Sequence, residues 1–179
     1  MHKGFTSLAA ALIAVASPAA AQMDNHAESV DCKTALVKLP EALAGWADPR
    51  AVRAANTGES ASAVELIIGQ AFDLELYPTP QVTYAIRPAR PGGSVSSGGL
   101  ASFRIETAGV YRVAIDSAAW LDVVHDGKTL ESVNHGRGPD CTGIRKMVDF
   151  KLEPGIHTLQ IVGNGTPKLR AMVATVPAG

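Results

Sequence analysis

Four side chains able to bind metal or act as nucleophiles crowd one stretch of this sequence. His125 sits in a hairpin, and His135, Asp140 and Cys141 follow in the string VNHGRGPDCTGIRK. Imidazoles and carboxylates converging three or four at a time hold divalent metals. His125, His135 and Asp140 are therefore a candidate metal site, with His157 as a more distant fourth donor. The spacing His-x4-Asp-Cys matches no zinc or iron signature by itself. The same residues also suit a plainer role, in which His135 and Asp140 cap a glycine-rich loop. The cofactor to expect is accordingly a divalent metal or none.

A second chemistry lies on the strand WLDVV. Alternation points Trp120, Asp122 and Val124 one way and Leu121 and Val123 the other. With the first set facing outward, an indole beside a carboxylate suits stacking on a sugar ring and recognition of its hydroxyls. Tyr77 and Tyr84 would extend that platform. The competing arrangement buries Trp120, because a chain with 5% aromatic residues needs its large side chains inside. Arg137, Arg145 and Lys146 form a modest positive patch near the loop. Trp120, Asp122 and Arg137 are the candidate ligand-binding residues.

Several other chemistries are excluded. The segment PGGSVSSGG lacks the Gly-Lys-Ser/Thr of a phosphate-binding loop, and no helical pattern follows it. Neither Gly-x-Ser-x-Gly nor His-Glu-x-x-His occurs. The formal charge is −1, with 16 basic and 17 acidic side chains and no Lys/Arg-rich run, so a nucleic-acid partner is not expected. Asn164-Gly165-Thr166 fits the N-glycosylation pattern.

The elements that must position these groups begin after an export signal. A basic start, the apolar run GFTSLAAALIAVAS and an Ala-x-Ala ending at residues 19–21 predict a signal peptide cleaved after Ala21. The run is too short and alanine-rich to span a bilayer, and no second apolar segment occurs, so no transmembrane segment is expected. Export to an oxidising compartment makes the two cysteines, Cys32 and Cys141, a predicted disulfide. The alternative is two free thiols or an intermolecular bridge.

Residues 22–62 read as an N-terminal arm with a short helix. Its leucines fall at 36, 39 and 43, Pro40 suits a first helical turn, and Trp46 anchors the segment on the domain. Residues 51–62 read as irregular or weakly helical. From residue 63 the period changes to two. VELIIG, AFDLELY, QVTYAI, LASFRIET, VYRVAID, WLDVV, TLESV, IRKMVDFKL, IHTLQIV and LRAMVATV read as strands, with a loop at residues 134–143. Asp126-Gly127 supplies the positive φ angles of a type I′ hairpin turn, and Glu153-Pro154-Gly155 makes another turn. The predicted fold class is all-β: a jelly-roll-like antiparallel β-sandwich over residues 63–179, preceded by a short helical segment.

The strings GWADP, PGGSVSSGGL, AGVYRVAID, AAWLDVV, HGRGPDC and IRKMVDFKLEPG resemble a group of small exported proteins of Gram-negative bacteria, over most of the mature chain. Some members of that group carry the name homogentisate 1,2-dioxygenase. The present chain is far shorter than that enzyme family and has no recognisable His/Glu iron-binding pattern. The resemblance implies a two-sheet architecture, and fold alone does not imply function. The expectation is a periplasmic or secreted, non-catalytic binding or accessory module for a carbohydrate or another cell-envelope component. The alternative is a dioxygenase-like metal enzyme using His125, His135 and Asp140.

Overall fold

The alternation that the sequence displays becomes two packed sheets. A computed structural model describes residues 31–33 and 38–177; the expected signal peptide at residues 1–21, most of the polar arm, Leu36 and the last two residues lie outside the described residues. In chain order the strands are β1 (Arg50–Arg53), β2 (Glu65–Leu66), β3 (Ala71–Glu75), β4 (Tyr77–Pro78), β5 (Ser97–Ile105) and β6 (Gly109–Ile115). They continue with β7 (Trp120–His125), β8 (Lys128–Thr129), β9 (Ser132–Gly136), β10 (Lys146–Leu152), β11 (Gly155–Asn164) and β12 (Lys168–Thr175). Sheet I has the order β1-β3-β12-β6-β10-β9. Sheet II has the order β2-β5-β11-β7-β8, with β4 paired to the start of β5.

The expected β-sandwich is therefore present, but it is mixed and not wholly antiparallel. β1 runs parallel to β3, and β2 runs parallel to β5. The reason is connectivity. Between β1 and β3 the chain visits sheet II as β2, so it re-enters sheet I in the direction in which it left. Such crossovers are what parallel pairing requires.

One face of every long strand is apolar and closes the core. Phe103, Val113, Leu152, Leu159 and Val173 have no exposed surface, and Phe72, Leu74, Leu121, Val148 and Phe150 complete the layer between the sheets. A second, smaller cluster lies on the outside of sheet I, where Leu43, Trp46 and Ile144 cover Ala71, Ala114, Met172 and Ala174. Leu43 and Trp46 come from a 3-10 helix, Glu41–Ala47, that starts just after Pro40. The expected short helix is thus present from Pro40 onward, in the tighter 3-10 form, while residues 34–37 lie outside the described residues. Gly45 explains the close docking, since a β-carbon there would collide with the Gly69 carbonyl. The disulfide Cys32–Cys141, with Cα atoms 5.0 Å apart, ties this arm to the loop before β10. Trp46 Nε1 adds a hydrogen bond of 2.9 Å to the Thr142 carbonyl of the same loop.

Three local expectations change. Residues 51–53, the start of the stretch read as irregular, belong to β1, an edge strand too short to display a period. QVTYAI is not a strand, although Thr83 forms an isolated bridge with Thr57. At its end a side chain takes the place of a ladder: Gln160 Oε1 accepts from Ile86 N–H at 3.0 Å, and Gln160 Nε2 donates to the Ile86 carbonyl at 3.1 Å. The loop expected from residue 134 begins later, because Ser132–Gly136 pairs with β10 as an edge strand.

Candidate functional site

The chain changes sheets at the open edge of the sandwich, and that crossing builds a cleft. The hairpin between β7 and β8 turns on Asp126 and Gly127, with φ angles of 48° and 69°, as an Asp-Gly type I′ turn requires. β8 pairs only with Val124 and His125. Leu130 then donates its N–H to the Val123 carbonyl at 2.8 Å, and by Ser132 the chain has joined sheet I as β9. Between β7 of one sheet and β9 and β10 of the other lies a cleft of about 570 Å³. Its apolar lining comes from Leu121, Val148 and Phe150, and its polar lining includes Asp122, Glu131, His135 and Lys146.

Trp120 stands in the wall of this cleft. It belongs to the face of β7 that points away from the sandwich core, and it is half-buried. Its Nε1–H donates to Asp122 Oδ1 at 2.9 Å, which fixes the indole orientation. The Arg90 guanidinium lies 5.2 Å from the ring centroid and the Lys146 ammonium 5.4 Å, both within cation–π range. Lys146 Nζ also donates to the Ala119 carbonyl at 3.1 Å. Burial pushes the Asp122 carboxyl above the usual carboxylate range, opposed by the Trp120 N–H, Gln160 and Lys146. Burial, with Arg90 nearby, holds the Lys146 ammonium below its ordinary value. Partly dry, oppositely shifted groups in a concavity are a common mark of a binding site, though ion networks produce them too.

The expected platform is only partly assembled. Trp120 and Asp122 meet as expected, and Arg137 lines an adjoining cleft of about 430 Å³ with Arg145. His135 and Lys146 line both clefts. Tyr84 lies on the same outer face, where its hydroxyl donates to the Ile161 carbonyl at 3.2 Å. Burial and the nearby Asp122 charge push the Tyr84 phenol up to about 12. Tyr77 instead stacks under Arg53, 5.6 Å from the guanidinium carbon. Arg90 was missed because its string RPARPGG reads only as a connector; its place over the indole is a tertiary contact.

The metal-site expectation is corrected. Among the described residues no group of three or more His, Cys, Asp or Glu is placed to hold an ion. His125 Nδ1 is 2.9 Å from the Ile156 carbonyl, and its ring stacks on His157 with centroids 4.2 Å apart. His135 instead lines the two clefts, and Asp140 is exposed in the loop beside Cys141. Strand pairing has carried these donors to separate places. The glycosylation pattern is also absorbed by the fold, because Asn164 is 2% exposed and donates to the Thr166 and Lys168 carbonyls at 2.8 and 3.0 Å.

Another concavity of about 570 Å³ lies on the outside of sheet I, lined by Arg53, Asp73, Glu75, Asp116 and Arg170. Its charges neutralise one another. Arg170 makes a two-pronged pair with Asp73 at 2.7 and 3.1 Å, and Arg53 meets Glu75 at 2.7 Å. Asp116 accepts the Arg170 backbone N–H at 3.0 Å. That region is a strand-tying ion network, and the edge cleft is the better candidate site.

No family model matches the chain, and no curated protein matches it. Fold and site together define a disulfide-bonded β-sandwich with a cleft between its sheet edges. No helix among the described residues is long and apolar enough to cross a membrane.

Proposed function

We propose that this protein is an exported, non-catalytic binding or accessory module, periplasmic or secreted, whose edge cleft takes a carbohydrate or another cell-envelope ligand. The observation that carries the reading is Trp120 in the cleft wall, with its N–H committed to Asp122 and its ring oriented before any ligand arrives. Pre-orientation matters because a locked aromatic side chain loses little entropy on binding. The indole of Trp120 and the partly exposed Leu130 can receive the C–H face of a sugar, while Asp122, Glu131 and Lys146 offer partners for hydroxyls.

Two further features support the reading. The disulfide suits an oxidising compartment, in agreement with the export signal read at residues 1–21. The order β3-β12-β6-β10 facing β5-β11-β7-β8 supports a jelly-roll-like arrangement, which lectin domains also use. The likeness to small exported Gram-negative proteins points the same way.

The test is a glycan array and a polysaccharide pull-down with the mature, oxidised chain. Retention that falls at least about tenfold in Trp120→Ala, with the melting midpoint preserved, is the expected result. No retention of any glycan ends the reading.

A further inference from the structure

Many cations among the described residues have no ion-pair partner, and four of them gather around one region. Arg53, Arg112 and Arg170 each meet a carboxylate at 2.7 Å. Arg90, Arg137, Arg145 and Lys146 have no carboxylate within ion-pair distance among the described residues. These four flank a single region. Arg137, Arg145 and Lys146 line the smaller cleft, Lys146 also lines the larger one, and Arg90 lies over the Trp120 ring of the larger cleft. Against them stand only two lining carboxylates, and one of these, Asp122, is occupied by the indole N–H. The surplus of positive charge is local, since the whole chain carries a formal −1.

We infer that the edge cleft selects acidic saccharides, with the ligand carboxylate received by Lys146, Arg137 and Arg145 and its sugar ring lying along Trp120 and Leu130. This rests on the reading of the cleft as the binding site. In the free chain Arg90 and Lys146 lie over the indole ring at 5.2 and 5.4 Å, and the neighbouring Asp122 carboxylate is already engaged by the indole N–H. A quadrupole is a weak partner for an exposed cation. A carboxylate makes shorter and stronger, charge-assisted hydrogen bonds, so a ligand anion displaces the cations from the ring and frees the indole face. A neutral sugar has no means of doing so. It would have to compete with two cations for one ring and give them nothing in return.

The apolar lining distinguishes this ligand from a bare anion. Trp120 and Leu130, both partly exposed in the cleft lining, offer an apolar surface that a sugar ring can use and a bare anion cannot. The cleft volume of about 570 Å³ suits a short oligosaccharide segment.

The experiment compares trigalacturonate with its fully methyl-esterified form by calorimetry, using the mature oxidised chain and the doubly substituted Arg137→Gln/Arg145→Gln protein. Both arginines are exposed, so the variant is expected to fold, and an unchanged melting midpoint checks this. We expect the acid to bind at least about tenfold more tightly than the ester, with an affinity that falls as salt is raised. The variant should lose on the order of tenfold toward the acid and nothing toward the ester, one charge-assisted hydrogen bond being worth about that factor. Equal affinity for acid and ester overturns charge selection while leaving the saccharide reading in place. Binding of neither probe overturns charge selection, and no retention on the full glycan array ends the binding reading as well. Stronger retention on phosphatidylglycerol vesicles than on trigalacturonate also overturns the inference, in favour of a lipid headgroup.

Discussion

His125 lies nearly flat on His157, with ring centroids 4.2 Å apart and planes 13° from parallel. His157 also stacks on Phe103 and has no exposed surface. Its Nδ1 is 3.3 Å from the Gly155 carbonyl, and its Nε2 has no partner among the described residues. Burial, and then the neighbouring His125, hold the His157 imidazole below the ordinary histidine value, against weaker opposition from the Gly155 carbonyl and Asp126. The folded protein therefore binds fewer protons here than the unfolded chain. The associated stability is present above the unfolded pKa of ~6.5 and is lost as the pH falls through the folded value. Urea midpoints should drop between about pH 7.5 and pH 5, and His157→Phe should flatten that slope. An equal slope in the variant would place the acid sensitivity elsewhere.

A second prediction concerns Arg112 and Asp149, which face each other across β6 and β10. Asp149 is 4% exposed and accepts from Arg112 Nε at 2.7 Å, from Arg112 Nη2 at 2.8 Å and from Asn134 Nδ2 at 3.3 Å. Deleting one partner of a buried pair costs about 3–5 kcal/mol. Because the Arg112 side chain is 26% exposed, Arg112→Ala should cost less, about 2–4 kcal/mol. Arg112→Met combined with Asp149→Leu should recover most of the loss, measured by chemical denaturation. Arg112 also holds the Asp149 carboxyl below the usual range. That contribution is present above an unfolded pKa of ~3.9 and disappears as the pH falls through the folded value.

Removing the disulfide should act in two ways. With the cysteines 109 positions apart in sequence, Cys32→Ser/Cys141→Ser should lose about 4–5 kcal/mol through the entropy of the unfolded chain. It should also loosen the 3-10 helix that places Leu43 and Trp46 on sheet I. Hydrogen exchange at residues 41–47 should quicken more than exchange in β11. Uniform quickening would show that the bridge does not specially secure the arm.

Gly98 and Tyr84 form a tightly fitted pair. A β-carbon at Gly98 would collide with the Tyr84 hydroxyl and come within 2.7 Å of the Ile161 carbonyl. Gly98→Ala should therefore cost about 1–3 kcal/mol and push Tyr84 out of place. In the native protein one of the three tyrosines should titrate near 12, the value to which burial and Asp122 raise Tyr84. In Gly98→Ala the Tyr84 transition should move down toward ~10. Since the folded phenol keeps its proton longer than the unfolded one, native stability should fall as the pH rises above ~10.

Much of the sandwich was legible because long strands with one buried face advertise themselves. AFDLELY and VYRVAID alternate in sequence, with burial departing from alternation at Ala71 and Ala114 where the arm covers the outer face, and Asp126-Gly127 turns as its chemistry demands. The two cysteines, read together with an export signal, pointed correctly to one bond. Legibility failed where backbone partners come from afar. Residues 82–86 have strand-like composition, yet the Gln160 side chain takes the hydrogen bonds of Ile86 that a ladder would use. Ser132–Gly136 has every residue exposed, so no buried alternation marks it as a strand. At the site, Trp120 and Asp122 were readable from their spacing on one strand. Arg90 was not, because it reaches the indole from a proline-rich connector thirty residues earlier.

The bond between Cys32 and Cys141 also decides what proteolysis can do. The exposed connector PGGSV at residues 91–95 is an obvious place for a protease to cut, and it lies between the two cysteines. A single cut there leaves two fragments covalently joined. Sheet II would keep β4 and β5 on opposite sides of the nick, paired through Tyr77 with Gly98 and Pro78 with Ser97. A nicked molecule would thus migrate as one species until a reductant is added. In an environment rich in secreted proteases, the chain can lose its continuity without losing any part of itself.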